Sequence, residues 1–299
     1  MDLAQIASLT ESQAREYLES IIWSDGVICP HCKSNNNTKL SGKAHRDGAY
    51  QCNDCRNQFT VTVGTIMEDS HIPLKKWIMA FHLMCSSKKG ISALQLQRDL
   101  GLGSYRTALF MTHRIRLAMS NHATEQKLKG TVEVDETYIG GKPRKGDGRE
   151  NKRGRGTKKA PVMVLVEREG KAISKPIKRL SSKDLKSEIK DNVELESKII
   201  TDDFKSYRGL KKEFTGGHEV VKHSQGEYSR GGIDTNTAES FFALLKRGHY
   251  GVFHNLSKRH LYRYTDEFAF RWNHRKISDS ERRDIAIKQA SGKRLVYSN

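Results

Sequence analysis

Two CxxC pairs, Cys29-Pro-His-Cys32 and Cys52-Asn-Asp-Cys55, stand 19 residues apart near the start of this 299-residue chain. That spacing fits a four-cysteine zinc ribbon, each pair on a tight turn. Zinc takes four thiolates tetrahedrally, and a segment of about 45 residues with few large apolar groups can hardly fold without such a clip. The expected metal ligands are therefore Cys29, Cys32, Cys52 and Cys55, and the zinc is structural. The alternatives are a redox CxxC or disulfides. Both are the weaker reading, because a cytoplasmic chain is kept reduced and a lone redox motif would not come twice. His31, inside the first turn, reads as solvent-facing rather than as a ligand. Cys85, in the run WIMAFHLMC, reads as a small buried core residue.

Farther along, three acidic residues stand in suggestive places. Asp135 follows a β-type run (TVEVDETYIGG), Asp202 follows another (KIITDDFKSY), and Glu239 lies in the helix-period stretch NTAESFFALLKRG. Two strands and a helix can deliver carboxylates to one point. Magnesium is a hard ion that keeps several waters, so two ions about 3.5 to 4 Å apart need only a few shared acids. Such a set points to magnesium, or manganese in its place, and to chemistry on phosphodiesters. Taken singly, each acid is more simply a solvated turn or helix residue; the set of three shifts the balance. Both aspartates have an acidic neighbour, Glu136 and Asp203, and successive strand side chains point to opposite faces, so one of each doublet reaches the site. Asp135 and Asp202, first after each apolar run, are the choice. On the helix, Asn236, Glu239 and Lys246 share a face, and the lysine two turns past the acid can meet a phosphate.

Lys and Arg number 53 against 35 Asp and Glu, a net charge of +18, which favours a polyanionic partner and salt-dependent binding to nucleic acid. There is no run of 18 apolar residues and no secretory leader pattern at MDLAQIASLTESQ, so a cytoplasmic protein without a membrane partner is expected. A capping-box pattern from Thr10 to Gln13 opens a helix over about residues 8–22. Residues 74–119 are helical in pattern. Within them 91–100 reads as a helix, Gly101-Leu102-Gly103 as a turn, and Ser104 as the N-cap of a second helix carrying Tyr105, Arg106, His113, Arg114 and Arg116. This is a helix-turn-helix-like pattern, although many helix pairs share such a turn without touching DNA.

The stretch 140–160, Gly-rich with nine basic residues, cannot bury a core. It is either an arm along phosphates or a solvated connector. Next come a strand pair turned at Glu169-Gly170, a helix capped by Ser181 or Ser182, the strand with Asp202, a loop-rich approach with His218 and His223, and the helix with Glu239. Either histidine could assist near the site, though packed or exposed histidines are commoner. This is the order of an RNase H-like mixed sheet flanked by helices. The expected organisation is an N-terminal helix and zinc ribbon (1–68), a helical DNA-binding region (69–125), an RNase H-like α/β catalytic domain (126–275) and a basic C-terminal tail (276–299).

These motifs together resemble a known group. CPHC and CNDC, VGTIMEDSHIPLKKW, KKGISALQLQRDLGL, HRIRLAM, VEVDETYIGG, ITDDFKSYRGL, NTAESFFALLKRGHYGVFHNLSKRHLYRY and DEFAFRWNHR, in that order, are similar to DDE-type insertion-sequence transposases with an N-terminal zinc ribbon. The group is insertion-sequence family fifteen-ninety-five, bacterial relatives of the eukaryotic Merlin elements. The resemblance implies that Asp135, Asp202 and Glu239 form the magnesium-binding triad and that Lys246 contacts the DNA end. Some members carry asparagine as the third member, which keeps Asn236 in view, and Asp203 departs from the smaller residue expected after the second aspartate. It implies a nucleoid-associated bacterial enzyme that cleaves and joins double-stranded DNA at element inverted repeats and target sites, as a homodimer or larger assembly. Ribbon and helix pair would hold the repeats, with Arg271, Arg275, Arg282, Arg283 and Lys288 on phosphates. The alternatives are a non-catalytic DNA-binding regulator descended from a transposase and a hydrolytic nuclease of the same fold.

Overall fold

Two reciprocal capping boxes open the chain. Asp2 and Gln5 start α1 (Leu3–Ser8), a helix the sequence reading passed over, and Thr10 and Gln13 start α2 (Glu11–Ile22). In the second box the Gln13 N–H donates to Thr10 Oγ1 at 3.3 Å and the Thr10 N–H to Gln13 Oε1 at 2.9 Å, pairing donors that a helix start leaves unmet. The computed structural model describes residues 1–120, 126–141 and 159–296, and the chain folds into two units, 1–120 with 276–299, and 121–275. The glycine-rich basic stretch expected over 140–160 lies almost wholly outside the described residues.

In the first unit a small antiparallel sheet, β1 (Asn37–Lys39), β2 (Tyr50–Cys52) and β3 (Gln58–Phe59), carries the cysteine turns. Its apolar content is slight: Trp23, Tyr50 and Phe59 meet ring to ring at 5.0–6.0 Å over buried Cys29 and Cys52. Then comes α3 (Leu74–Ser86), which buries Trp77, Ile78, Phe81, Met84 and Cys85. α4 (Ala93–Asp99) and α5 (Tyr105–Met119) follow. The glycine turn between them is a Schellman closure: Gly101, at φ 56°, donates to the Arg98 carbonyl, and the Leu102 N–H reaches back to Gln97 at 2.9 Å. Ser104 caps α5 through the Thr107 N–H at 3.1 Å.

The second unit is built on β4 (Thr131–Ile139) at the centre of a five-stranded mixed sheet. β5 (Ala160–Glu167) and β6 (Ala172–Pro176) add as an antiparallel meander on one side, turned at Glu169-Gly170 as the sequence suggests, with Glu169 at φ 58°. α6 (Ser182–Asn192), capped by Ser181, leads to β7 (Lys198–Asp202) and then β8 (His218–Val221), both running parallel to β4 on the other side. The order is therefore β6-β5-β4-β7-β8. α7 (Asn236–Gly248) and α8 (Leu261–Asn273) cover the face that carries Val162, Val164 and Val166, and α6 covers the opposite face through Leu185 and Ile189, over Val132, Val134 and Leu165.

The last segment returns to the first unit. Within the segment expected as a basic tail, Asp279–Lys288 form α9, which lies against α2, α3 and α5 and buries Ala286 and Ile287. Arg283 has no exposed surface: its guanidinium bonds the Met1 carbonyl, the Tyr17 hydroxyl and Asp284. Arg282 bonds the Cys85 carbonyl at 2.8 Å, and Arg271, on α8, is buried against Glu267. Three of the arginines assigned to phosphates are thus spent on internal carbonyls and carboxylates; a cation committed this way cannot also neutralise DNA.

The second helix of the pair is corrected likewise. His113, Arg114 and Arg116 on α5 are buried, with Arg114 bonded to the Glu68 carbonyl at 2.9 Å and Arg116 to Thr112 Oγ1 at 3.1 Å. Only its first turn, with Tyr105 and Arg106, is exposed.

Candidate active site and metal centre

The two cysteine turns have the same backbone. In each, the residue after the second cysteine (Lys33, φ 66°; Arg56, φ 63°) sits in the left-handed region and donates to the carbonyl of the first cysteine. The first cysteine's own N–H donates to the next carbonyl on, Ser34 at 2.8 Å and Asn57 at 3.0 Å. β1, β2 and β3 bring the two turns face to face. All four Sγ atoms lie within 4.8 Å of one another, with Cys29–Cys55 at 3.7 Å and Cys32–Cys52 at 3.5 Å. Corners of a tetrahedron 2.3 Å from its centre are about 3.8 Å apart, so the set fits zinc without rearrangement. His31 is exposed beside the cluster, and Cys85 is buried in α3.

In the second unit the register of the central strands does the placing. Val134 pairs with Thr201 across the parallel β4 and β7, so one step on, Asp135, midway along β4, lies beside Asp202, the last residue of β7. Asp135 shares a face with Val164, the face covered by α7. Glu136 points the other way and accepts a bond of 2.6 Å from the buried Tyr207 hydroxyl, whose pKa is pushed up by burial and by that carboxylate. Of the second doublet, Asp202 accepts from the Phe204 N–H at 3.1 Å, whereas exposed Asp203 accepts from the Ser224 hydroxyl. The strand pleat thus separates Asp135 from Glu136, while Asp203 lies just past the end of β7.

α7 presents Glu239 in its first turn and Lys246 near its end, seven residues or about two turns on, so both lie on one face. Both are exposed, with Lys246 Nζ 6.0 Å from the Phe242 ring centre. Burial first, then the charges of Asp202 and Glu239, push the Asp135 carboxyl up to about 6; the Glu136 N–H and Lys246 work against this. Each partner in that balance is a residue the sequence singled out. Among the described residues, however, only the cysteine set has all its ligand atoms within 4.8 Å of one another; the three carboxylates are not closed to that degree.

The histidines separate as well. His223 Nε2 is 3.9 Å from Glu239 Oε1 and 3.3 Å from the Thr235 hydroxyl, beside the acids. His218 bonds Thr201 Oγ1 at 2.9 Å on the α6 face, and burial lowers its pKa. Sequence reasoning missed Glu133, a carboxylate with no exposed surface two residues before Asp135. The available signal was a run of polar residues, Thr131, Glu133, Asp135 and Thr137, along one face of a strand that must be central.

Among the described residues, no helix is long and apolar enough to cross a membrane. Residues 127–273 match the ISXO2-like transposase domain, and residues 9–58 match the transposase zinc-ribbon domain. The chain is also 30% identical over 250 residues to an uncharacterized protein in transposable element ISH50 of Halobacterium salinarum, covering 80% of this chain and 83% of that one. The ribbon, the mixed sheet and these matches along most of the sequence agree: the chain belongs to the family of ISXO2-like transposases with an N-terminal zinc ribbon.

Proposed function

We propose that this chain is an active DDE transposase that binds the inverted repeats at the ends of an insertion sequence and catalyses magnesium-dependent strand cleavage and strand transfer. The observation that carries this reading is the β4–β7 register, which sets Asp135 beside Asp202, with Glu239 of α7 near enough that both charges add to the burial that raises the Asp135 pKa. A buried carboxylate that feels two others is only partly offset by Lys246, and a divalent cation would supply the remaining counter-charge. The sheet order, with an antiparallel meander on one side of β4 and two parallel strands on the other, supports an RNase H-like fold for this unit.

Asp135, Asp202 and Glu239 would hold the metal through hard oxygen donors, and Lys246 would neutralise a phosphate beside them. When bound, the ions lower the pKa of an attacking water or 3′-hydroxyl and offset charge on the leaving oxygen. The protein's own part is positioning: rigid β4 and β7 fix two acids, and α7 brings the third with the lysine. His223, 3.9 Å from Glu239, helps to orient that side chain. In the first unit the ribbon and the exposed first turn of α5 would grip end DNA. Cleavage and joining act on two ends, which calls for at least a dimer on DNA. This chemistry belongs at the chromosome, in the cytoplasm.

Asp135→Asn should abolish cleavage of element-end DNA in magnesium while leaving binding to that DNA nearly intact. Full cleavage by the variant would reject the site.

A further inference from the structure

Glu133 is a buried carboxylate used by neither the acid triad nor the apolar core. Burying such a group is costly unless its oxygens are fully hydrogen-bonded, and here they are. Oε2 accepts the backbone N–H groups of Thr237 at 2.8 Å and Ala238 at 3.0 Å, and Oε1 accepts the Thr237 hydroxyl at 2.9 Å and Arg168 Nε at 2.7 Å. All four partners are donors, which fills the lone-pair capacity of an ionised carboxylate.

Those two N–H groups belong to the second and third residues of α7, the donors that an N-cap side chain ordinarily takes. Thr235, at the cap position, makes no side-chain capping bond. The cap comes instead from a strand residue 104 positions away in sequence, and its charge opposes the positive end of the helix dipole. Arg168 extends the clamp: it bonds the carbonyls of Gly232 and Asp234 and pairs with the Asp234 carboxylate at 3.3 Å, holding the loop that enters α7.

Asp135 lies two residues beyond Glu133 on the same face of β4, and Glu239 lies one residue beyond Ala238 on α7. The path from one acid to the other is therefore a strand step, a pair of charge-assisted hydrogen bonds, and a peptide unit. We propose that Glu133 is a positioning residue: by capping α7 from β4 it sets the spacing of Glu239 from Asp135, so the cation affinity of the site depends on it although it contributes no ligand. This rests on the reading of Asp135, Asp202 and Glu239 as a cation site.

The test measures Mn2+ binding by the free-ion paramagnetic resonance signal on full-length, zinc-loaded protein, alongside thermal unfolding. Glu133→Gln keeps the shape but turns an amide NH2 toward donors, and should weaken Mn2+ binding about tenfold or more, the range seen when groups behind metal ligands are removed. Thr237→Val deletes one donor without touching the backbone bonds and should weaken it by about threefold, which tests the idea even if Glu133→Gln folds poorly. Leu185→Ala, buried on the opposite sheet face, is the control: it should lower the melting temperature as much and leave Mn2+ affinity unchanged. Wild-type affinity in both Glu133→Gln and Thr237→Val, or an equal loss in Leu185→Ala, overturns the positioning role. Asp135→Asn separates the two levels: if it too binds Mn2+ normally, the cation site itself is wrong, whereas loss there with wild-type binding in Glu133→Gln overturns only the present inference.

Discussion

Replacing Asp135 with Asn should make the second unit more stable, not less, when magnesium is absent and zinc is kept. The folded-state pKa of about 6 lies above the ordinary 3.8 because the carboxylate is buried beside Asp202 and Glu239. Between those values the folded state binds more protons than the unfolded one, so stability falls as pH rises. Each pH unit of difference is worth about 1.4 kcal/mol, which makes the full penalty at pH 8 about 3 kcal/mol and leaves about 1.6 kcal/mol at pH 5. Asparagine removes the charge and can still accept the 2.7 Å bond from the Glu136 N–H. The assay is amide hydrogen exchange at β4 and β7, compared between variant and wild type at the same pH. Global opening of the sheet should slow about 150-fold at pH 8 and about 15-fold at pH 5. Magnesium should slow exchange in the wild type and have little effect on the variant. Exchange as fast as wild type at pH 8, or the same gain at both pH values, would refute the account of a charge stored for a cation.

Three other outcomes are expected. Cys52→Ser should lose stoichiometric zinc by elemental analysis and open the ribbon to trypsin at Lys33, Lys39 or Arg56, since the aromatic cluster of Trp23, Tyr50 and Phe59 is too small to hold that sheet alone. Lys246→Ala should leave the melting temperature nearly unchanged and reduce the slope of log affinity against log salt for end DNA by about 0.9, the share of one phosphate contact. Arg106→Ala should reduce that slope similarly, whereas Arg116→Met should alter stability without changing it, because one side chain is exposed at the start of α5 and the other is buried.

What the sequence made legible was whatever depends on short spacing. The cysteine turns repeat within five residues, the caps at Thr10 and Ser104 act over three, and strand alternation separates Asp135 from Glu136. The meeting of Asp135 with Asp202 was legible only as a hypothesis, because β7 pairs with β4 across more than sixty residues and nothing local fixes that register. The same limit explains the basic residues. Arg116, Arg271 and Arg283 look like DNA contacts in a chain of charge +18, and their burial depends on partners such as Thr112, Glu267 and Tyr17 that only the packed helices bring near.

Glu133 shows why composition misleads in a central strand. β4 has neighbours on both edges and helices over both faces, so a charged residue on it must find a full set of partners inside the fold. Two acids on one face of such a strand therefore have different roles according to depth. Glu133, with no exposed surface, is enclosed by donors and is spent on the start of α7, while Asp135, midway along β4, has the charges of Asp202 and Glu239 close by and a raised pKa. The clamp that satisfies the first also brings Glu239 to the second, so the crowding that would draw in a cation is created by the same contact that secures the helix.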